Sequence, residues 1–106
     1  MSDQLASLLR ELKDGLTLLY RDRLKGVYLY GSWARGEQDN ESDVDVLVVL
    51  GDFASYGAEV DRTAELVAVL SLRHCASISP VFVRERDWQV GDSPFLANVR
   101  EEAVAA

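Results

Sequence analysis

The sequence predicts an α+β fold, a small mixed β-sheet flanked by helices, in the order helix, strand, turn, strand, helix, strand, helix. Three observations point there. Leu5, Leu8, Leu9, Leu12, Leu16, Leu19 and Tyr20 recur at intervals of three and four, which makes one apolar helical stripe. Val44, Val46, Leu47, Val48, Val49 and Leu50 form the strongest strand signal in the chain. Helical and extended segments are interleaved along the chain, the pattern of a sheet covered by helices.

The first helix runs from about Ser2 to Asp22, with Ser2 placed to cap the exposed amides of the first turn. Its stripe spans too few heptads for a leucine zipper. Gly26 opens a short strand, Val27 to Tyr30, and the segment Gly31-Ser32-Trp33-Ala34-Arg35-Gly36 breaks it. Glu37 to Ser42 is polar and holds Asp39-Asn40, a turn signal. The second strand covers Asp43 to Leu50 and ends at Gly51-Asp52. A second helix extends from Tyr56 or Gly57 to Leu72, with Val60, Ala64, Val67 and Leu70 expected on its buried side. The third strand covers Ile78 to Val83. Pro80 inside it has no amide to donate, which predicts an edge position or a strand start. Arg84, Glu85, Arg86 and Asp87 alternate in sign, as on a solvated face. Ser93 as N-cap and Pro94 at the first position start the last helix, with Phe95 or Leu96, Val99 and Ala103 turned inward.

Composition narrows the function. The 106 residues suit one domain, 1–106, with a single modest core. A net charge of -7 argues against this chain alone gripping a nucleic-acid duplex, and the length leaves no room for the gripping domains of a template polymerase. Cys75 is the single cysteine, so no intrachain disulfide forms and a reducing, cytoplasmic setting is expected. Asp3, Arg10, Glu11, Lys13 and Asp14 interrupt any signal-peptide apolar region, and no apolar run approaches ~20 residues.

The chemistry centres on Asp43 and Asp45. Residues two apart on a strand share a face, so both carboxylates point one way, ~7 Å apart at Cα. Val44 and Val46 face the other side. A solvated strand face would tolerate two aspartates, but aspartate is depleted in strands, and Leu47 and Val49 make the rest of this face apolar. Two converging carboxylates repel, and a hard cation such as Mg²⁺ resolves the conflict. Gly31-Ser32 adds a second element. A glycine admits a ligand close to the backbone, and a turn with free amides and a hydroxyl can hold a phosphate. A lone Gly-Ser means little. A strand, Gly-Ser, ten further residues and then Asp-Val-Asp opening a second strand can bring both elements to one end of adjacent strands.

The stretch from Tyr28 to Leu50, YLYGSWARGEQDNESDVDVLVVL, resembles the nucleotidyltransferase superfamily that includes DNA polymerase β, and most of all its minimal, stand-alone members (MNT) from bacteria and archaea. The resemblance extends more weakly over the rest of the chain. It implies that Gly31 and Ser32 bind a nucleoside triphosphate and that Asp43 and Asp45 are the catalytic carboxylates holding two Mg²⁺ ions. It also implies transfer of a nucleoside monophosphate, AMP from ATP by default, to a hydroxyl acceptor. Family members of this size often pair with a small helical HEPN-type protein in a toxin–antitoxin system, where the nucleotidyltransferase is the antitoxin and can modify a tyrosine of its partner. An acidic chain suits a basic ribonuclease partner. This chain departs from the family at one point: Ser77 or Ser79 stands where a third carboxylate is expected on the next strand. That departure keeps open a degenerate module that binds nucleotide or partner without turnover. A nucleotidyltransferase acting on a small molecule, such as an aminoglycoside, is the other alternative. Arg35 either reaches the triphosphate or pairs with an acid such as Glu37, and Trp33 either stacks on a base or packs. His74 and Cys75 lack the partners a zinc site needs.

Overall fold

A computed structural model describes residues 2–39 and 42–106. Asn40, half of the expected Asp39-Asn40 turn, lies outside them. Helix α1 spans Asp3–Tyr20, and the Ser2 hydroxyl accepts from the Leu5 amide at 3.1 Å, the expected cap. Leu5, Leu8, Leu9, Leu12, Leu16 and Tyr20 are buried along one side. Leu19 is not in the stripe: it is 43% exposed, and the Tyr20 ring takes the last core position instead.

A single tight turn, Arg21–Arg23, leads into strand β1, Leu24–Tyr30. The Gly31 turn is followed by a one-turn helix α2, Ser32–Arg35, and then by strand β2, Val44–Leu50. Helix α3 is Tyr56–Arg73 and strand β3 is Ile78–Arg84. Helices α4, Glu85–Val90, and α5, Pro94–Glu102, precede a two-residue strand β4, Val104–Ala105. Ser93 caps α5 through its hydroxyl with Pro94 beginning the helix, as the sequence signalled.

The sheet order is β3-β2-β1-β4. β1 runs antiparallel to both β2 and β4, while β2 and β3 are parallel. Pro80 therefore sits on an edge strand, where its missing amide leaves no ladder bond unmade. β2 lies inside, and alternation along it serves two layers. Val44, Val46, Val48 and Leu50 join Val27 and Leu29 against α1 and α3. Leu47 and Val49 pack on the opposite face with Val83, Leu96 and Val99. Among the described residues no helix is long and apolar enough to cross a membrane.

Two further expectations are corrected. The inward side of α3 is Glu59, Thr63 and Leu70; Val60 is 43% exposed and Ala64 faces out. The helix is turned so that buried Glu59 accepts from the Tyr20 hydroxyl at 2.8 Å and from Arg62 Nε at 3.0 Å. Paired in this way, a charged residue can occupy a core position. The charge-alternating stretch after β3 is not merely a solvated face. It opens α4, whose Trp88 packs at 4.9 Å on Tyr28, while Arg84 bonds to Asp52 and to the Phe53 carbonyl.

Candidate functional site

The antiparallel register sets Tyr30 opposite Asp45, so the turn that follows β1 lies beside the start of β2. Gly31 is buried with φ +77°, a conformation that costs a residue with a Cβ. A Cβ there would also collide with the Asp45 carboxylate. Glycine is required on both counts, and the turn and the carboxylate are in contact. Ser32 follows at once as the first residue of α2.

Asp43 is exposed just before β2, and Asp45 is partly buried within it. The Asp45 carboxyl is raised above the ordinary aspartate range, first by burial and then by the negative charge of Asp43. Glu102 adds to the rise and Arg35 opposes it. The Tyr30 hydroxyl is pushed up to about 12 by burial and then by Asp45. The two aspartates thus form the repelling oxygen pair expected from their spacing, and that donor set fits a hard divalent cation. Among the described residues, no group of three or more His, Cys, Asp or Glu side chains gathers as a metal cluster.

β3 explains the count. Its parallel register sets Ser79 opposite Asp45, and the Ser77 carbonyl accepts from the Val44 amide at 2.7 Å, beside Asp43. The neighbouring strand does reach the site, but with serine. Glu85 and Asp87 are at the far end, where Arg84 pairs with Leu50.

Arg35 makes two ion pairs, Nε to Glu37 at 2.9 Å and Nη1 to Glu102 at 2.9 Å. The other Glu102 oxygen accepts from the Gly31 amide at 2.9 Å. The Arg35 guanidinium and then the Gly31 amide hold the Glu102 carboxyl below the usual range. Glu102 was missed from the sequence. One signal was present: it follows buried Val99 by three residues, so it lies on the same side of α5 as the sheet.

Trp33 packs against the core, and its indole N–H donates to the Ser42 carbonyl at 3.1 Å. It ties α2 to the residue before Asp43. His74, half-buried at the end of α3, pairs with Glu11, which Arg73 also holds. A cavity of about 530 Å³ opens beside the site, lined by Trp33, Ser42, Val44, His74 and Ser77 among others; neither Asp43 nor Asp45 is among the described residues that line it.

A backbone amide and a guanidinium can take an anion, and strand carboxylates beside them can take a cation. That pairing suits phosphate chemistry on a small mixed sheet. The family model described as "Nucleotidyltransferase domain" matches residues 9–93, and the chain belongs to that family as a minimal nucleotidyltransferase. Two proteins of Methanocaldococcus jannaschii, both named as protein adenylyltransferases, are similar. One is 30% identical over 82 residues, 77% of this chain and 82% of its own length. The other is 32% identical over 100 residues, 89% of each. Solved structures share the fold. The toxin–antitoxin MntA-HpeT superposes with a TM-score of 0.58 at 20% identity, over 94% of this chain and 69% of that one. A toxin–antitoxin solved with AMP-PNP gives 0.57 at 24%, over 88% and 70%. A nucleotidyltransferase of Sulfolobus solfataricus gives 0.58 at 18%, over 99% and 86%.

Proposed function

We propose that this protein is a Mg²⁺-dependent protein adenylyltransferase that transfers AMP from ATP to a hydroxyl of a protein partner. The observation that carries this is the contact of the Gly31 turn with Asp45 at the start of β2. The names of the two archaeal relatives support the reaction class, and the toxin–antitoxin neighbours, one solved with AMP-PNP, support the nucleotide and the setting. The partner is a small helical HEPN-type protein of basic charge, complementary to a chain of net charge -7.

Asp43 and Asp45 would hold Mg²⁺, and its charge would relieve the repulsion that raises Asp45. When bound, the metal neutralises phosphate charge and makes the attacking hydroxyl easier to deprotonate. The chain's own groups bind and orient. The Gly31 amide and the Ser32 hydroxyl receive phosphate oxygens, and Arg35 offers a guanidinium from the same turn. The acceptor hydroxyl gives its proton to a solvent water, its oxygen bonds to the α-phosphorus, the bond from that phosphorus to the α,β-bridging oxygen breaks, and pyrophosphate leaves.

The first test is calorimetry with ATP and Mg²⁺. Asp43→Asn and Asp45→Asn should each weaken binding at least tenfold while circular dichroism stays native. Equal affinity in wild type and both variants would count against the carboxylate site. A second reading follows from Ser79 beside Asp45: the chain binds nucleotide and neutralises its partner without modifying it. Label transfer from α-³²P-ATP to the purified partner separates the two.

A further inference from the structure

Resting on the nucleotide-binding reading above, we propose that Glu102 is an internal occupant of the phosphate slot, and that its side chain must swing out before a triphosphate can bind. Its two carboxylate oxygens do what two oxygens of a phosphate would do. Oε1 takes the Gly31 amide at 2.9 Å and Oε2 takes Arg35 Nη1 at 2.9 Å. Both donors sit within the turn that stands against Asp45. A phosphate cannot use the Gly31 amide while a carboxylate holds it, so the two anions exclude each other.

The backbone around Glu102 is tied down on both sides. Val99, one turn earlier, is buried in the core. Beyond it, Val104 pairs with Leu29 and Ala105 with Tyr28, and the Ala106 amide donates to the Val27 carbonyl at 2.9 Å. Lys13 adds a bond from its ammonium to the Ala106 carbonyl at 2.9 Å. The device is therefore a side-chain gate on a fixed backbone. Its side chain is 24% exposed, so a route to solvent exists. Release would free one of the two acids that hold Arg35 and turn that guanidinium toward the incoming phosphate.

Apparent affinity falls by the fraction of molecules in which the slot is open. A slot open about a tenth of the time weakens binding about tenfold. The test titrates wild type, Glu102→Gln and Glu102→Asp with inorganic tripolyphosphate and, separately, with Mg²⁺ and ATP. Glutamine keeps the shape but cannot accept from Arg35 with its amide nitrogen. Aspartate keeps the charge but is one methylene too short to span both donors. Both variants should bind tripolyphosphate about tenfold tighter than wild type, and the Gly31 amide proton resonance should move in each variant without ligand. Tightening in Glu102→Gln alone would show simple charge removal and overturn the gate. Unchanged tripolyphosphate affinity in both variants, with ATP still bound, would overturn the gate and leave the nucleotide reading standing. Tightened tripolyphosphate binding without any ATP binding would keep the gate and sink the nucleotide reading. Binding of neither ligand by any form would overturn both.

Discussion

The two ends of β2 obey opposite rules. From Val46 to Leu50 the strand is fully buried, clamped between the leucine stripe of α1 on one face and the Val83, Leu96 and Val99 cluster on the other. At its start, Asp45 is partly buried with its carboxyl raised by burial and by Asp43. One seven-residue strand therefore carries fully buried apolar packing along most of its length and, at its start, one member of a pair of charges that resist being together. The contrast has a mechanical sense. Charges that repel keep their position only when anchored to something that cannot relax, and the buried half of β2 is that anchor. The packed end contributes stability, and the charged end costs some of it.

The largest expected effect breaks the packed end. Leu12 is 1% exposed, and Leu12→Ala should destabilise the protein by about 2–5 kcal/mol, read from urea denaturation. If the comparison holds, ATP affinity per folded molecule should stay as in wild type.

Next comes the serine opposite Asp45. A third carboxylate at that register would complete the acid set, and a missing general base typically costs about 10²–10⁴-fold in rate. Ser79→Asp should speed AMP transfer to the partner by about 10²-fold, and Ser77→Asp should do less, because Ser79 is the residue paired with Asp45. Fast wild-type transfer that neither variant improves would show that the absent carboxylate is not limiting.

Gly31→Ala tests the contact between turn and strand. The positive φ and the collision with Asp45 together should cost about 1–3 kcal/mol of stability. Magnesium-dependent ATP binding should weaken as well, since the turn must move off the carboxylate.

The smallest effect has the opposite sign. Because burial and Asp43 raise the folded-state pKa of Asp45 above its unfolded value, ionising it penalises the native state. That penalty is absent below the unfolded pKa of about 3.9 and grows as the pH rises through the folded value. Asp45→Asn removes it, so the variant should be more stable than wild type at pH 7. Its advantage should disappear near pH 3.5. Thermal denaturation at the two pH values checks this, and a less stable variant at pH 7 would show that Asp45 is not held against its own preference.

Much of this was legible in local pattern. The helical stripe of α1, the Ser2 and Ser93 caps, the run of β2 and the edge position of β3 follow from spacing, hydroxyl placement and the missing amide of Pro80, all properties of a few adjacent residues. The break at Gly31 and the electrostatic coupling of Asp43 to Asp45 follow from glycine itself and from the close spacing of the two acids. Local pattern cannot say which distant group meets which. Apolarity pointed to Val60 and Ala64 on the inner face of α3, but Tyr20, 39 residues away, supplied a partner that buries Glu59 instead. Helix α4 was hidden because its charges looked solvated, and the Tyr28 ring together with the cluster around Leu47 and Val49 gives Trp88 a surface to pack on. Glu102 reaches back 71 residues to Gly31 because α5 and β4 dock beside β1. Sequence alone set the period of each element and the chemistry of Gly31, Asp43 and Asp45. Tertiary structure chose the partners, because pairing a charge or closing a strand depends on which surfaces the chain brings within 3 Å, and that is decided by the packing of the whole domain.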